Sequence, residues 1–134
     1  MDERKLIEIK KVRKVIFVGD THGDLEVSQK VIKDYLKPGN KIVFLGDYVD
    51  RGPQSKENLD FLLEIKAKNL NQIYLLQGNH EGHHILKFSS ADFWKSLSKE
   101  EYEKYCSITR ERTIAIADLS KEIKTAKDLD ILRI

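Results

Sequence analysis

Three short apolar runs punctuate the first half of the chain, and each runs directly into a turn of glycine and polar residues. Val15-Ile16-Phe17-Val18 leads into Gly19-Asp20, Ile42-Val43-Phe44-Leu45 into Gly46-Asp47, and Ile73-Tyr74-Leu75-Leu76 into Gln77-Gly78-Asn79. Continuous apolar runs without polar alternation are the pattern of strands buried on both faces, as in a parallel sheet. Between the first two, Val27, Val31, Ile32, Tyr35 and Leu36 fall at helical spacing and predict a helix over 25–36, stopped by Lys37-Pro38-Gly39-Asn40. Between the second and third, Leu59, Leu62 and Leu63, with Phe61 and Ile65, predict a helix that begins near Pro53 and ends near Lys68. The order β-α-β-α-β predicts an α/β domain with a central, mostly parallel sheet and flanking helices. Such sheets gather functional residues at the C-terminal ends of their strands. Asp20, His22, Asp47, Asp50, Asn79 and His80 all belong to that rim.

After Glu81 the pattern weakens. Ser98 with Glu101 has the form of a capping box and predicts a helix over 99–106, packed by Phe93, Trp94, Leu97, Tyr102 and Tyr105. Residues 114–117 read as a short strand, and 118–134 as a helix on Leu119, Ile123, Ala126 and Leu129. His83 and His84, close to the rim, read as exposed helix-start positions outside the site. The chain divides into a motif core over 14–81, a helical segment over 83–106 and a tail over 107–134, together one incomplete domain.

Composition narrows the function classes. The chain has 134 residues, about one domain, and is 40% hydrophobic and 34% charged with a net charge of +2. That balance gives no argument for nucleic acid or an acidic membrane as a partner. Its single cysteine cannot form an internal disulfide. A charged start and the lack of any apolar run near ~18 residues point to the cytoplasm. Nothing in the sequence sets an oligomeric state.

The three turns read Gly19-Asp20-Thr21-His22-Gly23, Gly46-Asp47-Tyr48-Val49-Asp50-Arg51-Gly52 and Gly78-Asn79-His80-Glu81. A turn accounts for any one Gly-Asp, but not for His22 or for the Asp50-Arg51 pair. In this order, each after a strand, the blocks resemble the metallophosphoesterases, and within them the phosphoprotein phosphatases. The resemblance implies the N-terminal half of a calcineurin-like sandwich and two divalent metal ions (Mn, Fe, Zn or similar). Asp20 and His22 would hold one ion, Asp47 would bridge, and Asn79 would bind the second. It further implies hydrolysis of phosphate monoesters, above all phosphoserine and phosphothreonine in proteins, by a metal-activated hydroxide. His80 would act as acid, oriented by Asp50, and Arg51, with Asn79, would bind the phosphate. Asp20 and His22, two apart on an extended segment, would point to the same side, and Gly19, Gly46 and Gly78 would allow sharp turns beside the ion.

The resemblance covers 14–81, fades through about Tyr105 and stops. The resemblance implies two further histidines, well downstream of the third block, that complete the second metal; no histidine follows His84, so that site would be incomplete in this chain. A fragment, a frame shifted after about Tyr105 and a natural short form are the alternatives. A remnant acting as a binding or scaffold module, or a related hydrolase of dinucleoside polyphosphates, competes with the protein phosphatase. Cys106 to Thr113 also has the C-x5-R-[ST] spacing of cysteine-dependent phosphatases. Its charged helical lead-in and missing loop glycines favour chance spacing.

Overall fold

The computed structural model describes residues 12–83, 91–111 and 130–132. The elements run β1 (Lys14–Val18), α1 (Leu25–Tyr35), β2 (Asn40–Phe44), α2 (Ser55–Lys68), β3 (Ile73–Leu75), α3 (Asp92–Ser96), α4 (Lys99–Glu111) and β4 (Asp130–Leu132). The strands form one sheet in the order β3-β2-β1-β4, and all three ladders are parallel. Val18 pairs with Phe44, and Phe44 with Leu75, so the three apolar runs end level with one another. The loops that follow them therefore emerge side by side.

Alternation along the strands divides the core. Ile16, Val18, Ile42, Phe44, Ile73 and Leu75 join Val31 of α1, Leu59 and Leu62 of α2, and Phe93, Trp94 and Tyr105 of the last two helices in one cluster. Phe17, Val43 and Leu76 form a smaller cluster. Each fully buried aliphatic or aromatic side chain contributes roughly 1.5–3 kcal/mol by leaving water, so the larger cluster dominates and the four described helices share it.

Local chemistry sets the helix ends. Asp24 caps α1 by accepting the Val27 N–H at 3.1 Å. The capping box at α4 is formed: the Glu101 N–H donates to Ser98 Oγ and the Ser98 N–H to Glu101 Oε1, both at 3.2 Å. Helix α4 continues to Glu111, past the predicted end. Helix α2 starts at Ser55 rather than near Pro53, because the chain first completes a turn in which Ser55 Oγ accepts the Asp50 N–H at 2.9 Å. The helix expected over 118–134 is not what forms at its end: residues 130–132 are a strand paired to β1. There a short apolar stretch gains a parallel ladder that helical periodicity does not anticipate. The strand expected over 114–117 lies outside the described residues. Among the described residues no helix is long and apolar enough to cross a membrane.

Candidate functional site

Four non-glycine residues in the rim loops have positive φ: His22 at 38°, Asp47 at 58°, and Asp50 and Arg51 at 70°. Such a backbone costs on the order of 1–3 kcal/mol per residue and persists only where its surroundings enforce it. Here the loops brace one another. The Thr21 and His22 N–H groups both donate to the Asp47 carbonyl (3.2 and 2.9 Å), and the Gly23 N–H donates to the Tyr48 carbonyl at 2.7 Å. A Cβ on Gly78 would lie 2.1 Å from Asp47 Oδ1, and one on Gly46, whose φ is 104°, 2.3 Å from the Gly78 nitrogen. These two glycines let the second and third loops touch. Gly19 is different, with open space around it and no positive φ, so it has no comparable role.

Two buried polar residues that sequence reading passed over lock this arrangement. Glu81, 1% exposed, accepts the Asp47 N–H (2.6 Å) and the Gly78 N–H (3.0 Å) through Oε1, and the Tyr48 N–H (2.8 Å) through Oε2. Burial pushes its carboxyl up to about 7, against the lowering pull of those backbone donors. Asn58 is wholly buried. Its amide donates to Thr21 Oγ1 and to the Tyr48 carbonyl, both at 2.9 Å, and its oxygen accepts from Ser28 Oγ at 2.6 Å. A buried carboxylate needs donors, so the available signal was a glutamate closing a glycine-flanked loop directly after a buried strand.

Asp20, His22 and Asp47 could hold a metal ion: each offers one donor atom, and the three lie within 4.8 Å of one another. The His22 Nδ1–H donates to the Val49 carbonyl at 2.8 Å, and Nε2 lies 3.4 Å from Asp20 Oδ2. A backbone carbonyl that fixes the histidine tautomer is the usual support of a metal ligand. The expected mechanism for joining Asp20 and His22 was extended alternation. Instead β1 stops at Val18 and the left-handed backbone at His22 turns the ring inward.

Beside this cluster His80 Nδ1 lies 2.7 Å from Asp50 Oδ2, and Asp50 is wholly buried. The other Asp50 oxygen accepts the Phe93 N–H at 2.7 Å. The His80 N–H donates to Asp47 Oδ1 at 3.0 Å, and the His22 and His80 rings meet edge to face with centroids 4.8 Å apart. Cluster and pair are thus contiguous. Arg51 and Asn79 are exposed on the same loops.

His83 is not the exposed residue expected. It is buried, stacks on Trp94 with centroids 5.8 Å apart and lies edge-on to Tyr102. An imidazole has a flat apolar face, and aromatic neighbours from α3 and α4 bury it. His84 lies outside the described residues. Cys106 is buried within α4, so it heads no phosphate loop.

The model for the calcineurin-like phosphoesterase family matches residues 13–128, and the chain belongs to that family. It is 43% identical over 82 residues to a candidate serine/threonine-protein phosphatase of Caenorhabditis elegans, covering 60% of this chain and 22% of that protein. It is 37% identical over 67 residues to another of Encephalitozoon cuniculi, covering 50% of this chain and 15% of that protein. The match thus spans less than a quarter of either relative. Among solved structures, a Saccharomyces cerevisiae protein serine/threonine phosphatase described as similar to human phosphatase PP5 superposes with a TM-score of 0.56 at 20% identity, over 76% of this chain and 38% of that one. This likeness establishes a shared fold.

Proposed function

We propose that the chain carries the metal-binding and proton-donating part of a phosphatase for phosphate monoesters, with phosphoserine and phosphothreonine in proteins as substrates. One observation carries the reading: a ligand cluster of Asp20, His22 and Asp47 whose histidine ring packs against that of a second, aspartate-paired histidine. The names of the two relatives support the substrate class.

Two carboxylates and an imidazole of fixed tautomer form a donor set that suits a divalent ion such as Mn²⁺, Fe²⁺ or Zn²⁺. Asp20, His22 and Asp47 would hold the first ion, and Asp47 with the Asn79 amide oxygen would serve a second. An ion bound there supplies Lewis acidity and lowers the pKa of water. The chain's own groups do the rest. Arg51 grips phosphate oxygens with its planar fork. With Nδ1 held by Asp50, His80 gives its other ring proton to the departing oxygen as a water oxygen bonds to phosphorus and the ester P–O bond breaks, and Asp50 stabilises the ring's orientation.

One observation favours a second reading, a binding module with little turnover. The chain has four histidines, and His83 is committed to the stack on Trp94, so a second ion would have only Asp47 and Asn79 among the residues proposed here. Phosphate release from a phosphothreonine peptide in Mn²⁺, with wild type against Asp47→Asn, separates the readings. Release by wild type alone supports the phosphatase. Release that survives Asp47→Asn or chelator contradicts it, and absence of release from every protein leaves the binding module. Release confined to dinucleoside polyphosphates would reassign the substrate.

A further inference from the structure

We infer that Trp94 is a positioning residue for the His80–Asp50 pair, an inference that rests on the proton-donor reading of His80. The short helix α3 presents two consecutive donors to the two partners. The Phe93 backbone N–H donates to Asp50 Oδ1 at 2.7 Å, and the Trp94 indole Nε1–H donates to the His80 carbonyl at 2.5 Å. An indole N–H can only donate and when buried needs an acceptor. Trp94 is 2% exposed and takes as acceptor the backbone of the residue whose ring is paired.

The indole has little freedom to leave. It meets Phe93 and Tyr102 edge to face, with centroids 5.2 and 5.3 Å apart, and stacks on His83. One helical turn therefore fixes the His80 main chain and the Asp50 carboxylate together, and with them the 2.7 Å separation of Nδ1 from Oδ2. The His80 main chain is thus held from two sides, its N–H on Asp47 Oδ1 at 3.0 Å and its carbonyl on the indole. Loss of the indole donor would let the imidazole drift from its carboxylate.

The test needs no metal and no turnover. In the ¹⁵N-labelled full chain, solvent exchange of the His80 Nδ1 proton reports the closeness of the pair. Trp94→Phe, which keeps the aromatic bulk, should speed that exchange by about two- to tenfold, the fold-change of one neutral hydrogen bond. Phe93→Leu perturbs the same packing but keeps its backbone donor and should leave exchange unchanged. Asp50→Ala, which removes the acceptor, should remove the protection. Unchanged exchange in Trp94→Phe, with protection lost in Asp50→Ala, would overturn the role of Trp94 and leave the proton-donor reading standing. Equal acceleration in Trp94→Phe and Phe93→Leu would reduce Trp94 to packing. Unaltered exchange in Asp50→Ala would remove the paired histidine and both readings with it. If Trp94→Phe does not fold, 3-benzothienylalanine at position 94 replaces the indole N–H by sulfur in nearly the same shape and gives the same comparison.

Discussion

Glu81 Oε1 lies 2.6 Å from the Asp47 backbone nitrogen, so the loop after β3 sets the conformation of the loop after β2. Asp47 has a φ of 58° and holds it because its N–H and that of Tyr48 both end on one buried carboxylate. Glu81→Gln keeps the shape but turns an NH₂ toward a backbone N–H. The variant should lose about 1–3 kcal/mol of stability, the cost of a buried donor left without an acceptor. Urea unfolding measures this, and an unchanged midpoint would contradict the anchoring role.

The contact of Gly78 with Asp47 gives a prediction about affinity. A methyl group at position 78 would meet Asp47 Oδ1 at 2.1 Å and its nitrogen at 2.5 Å, so Asp47 must move. Gly78→Ala should weaken Mn²⁺ binding by ~10- to 100-fold, the range for loss of a group that orients a ligand. Competition with a fluorescent chelator would show it, and wild-type affinity would mean that Asp47 does not hold the ion.

His80→Ala separates acid from ligand. It should leave the Mn²⁺ affinity of the first site as in wild type and, in a protein that turns over, slow release of poor leaving groups by ~10²- to 10⁴-fold, the usual contribution of a general acid. Loss of metal from this variant would place His80 among the ligands instead.

Much of this was legible from the chain, for identifiable reasons. Apolar runs and helical spacing located β1 at 14–18 and α1 at 25–35 almost to the residue, because local burial demands dominate there. The capping box at Ser98 and Glu101 is a contact within one turn, and local contacts can be read locally. Glu81, Asn58 and the Phe93 N–H on Asp50 could not be read that way. Each satisfies a partner about 30 or more residues away, and only the folded topology brings those partners together. His83 was misjudged because its burial depends on Trp94 and Tyr102, which arrive from later elements. The strand at 130–132 was missed because its ladder with β1 joins opposite ends of the chain.

The surface tie between α2 and α4 makes a prediction about pH. Lys56, together with Ser98, holds the Glu101 carboxyl down to about 2, from an ordinary 4.5. A lowered folded-state value means that the contribution is present above the unfolded value and is lost as the pH falls toward 2. Wild type and Glu101→Gln should therefore differ in urea midpoint at pH 7 and converge near pH 2. A difference that persists unchanged in acid would assign the tie to packing.

The most direct test of the central claim is a calorimetric titration of the 134-residue chain with Mn²⁺, alongside Asp47→Asn and Asp20→Asn. Asp20, His22 and Asp47 should give one appreciable site, with a second, served by Asp47 and Asn79, weak or unseen, because water does not replace preorganised imidazoles. Either substitution should abolish the first. Two tight sites in wild type, or one that survives both substitutions, would contradict the assignment of these residues.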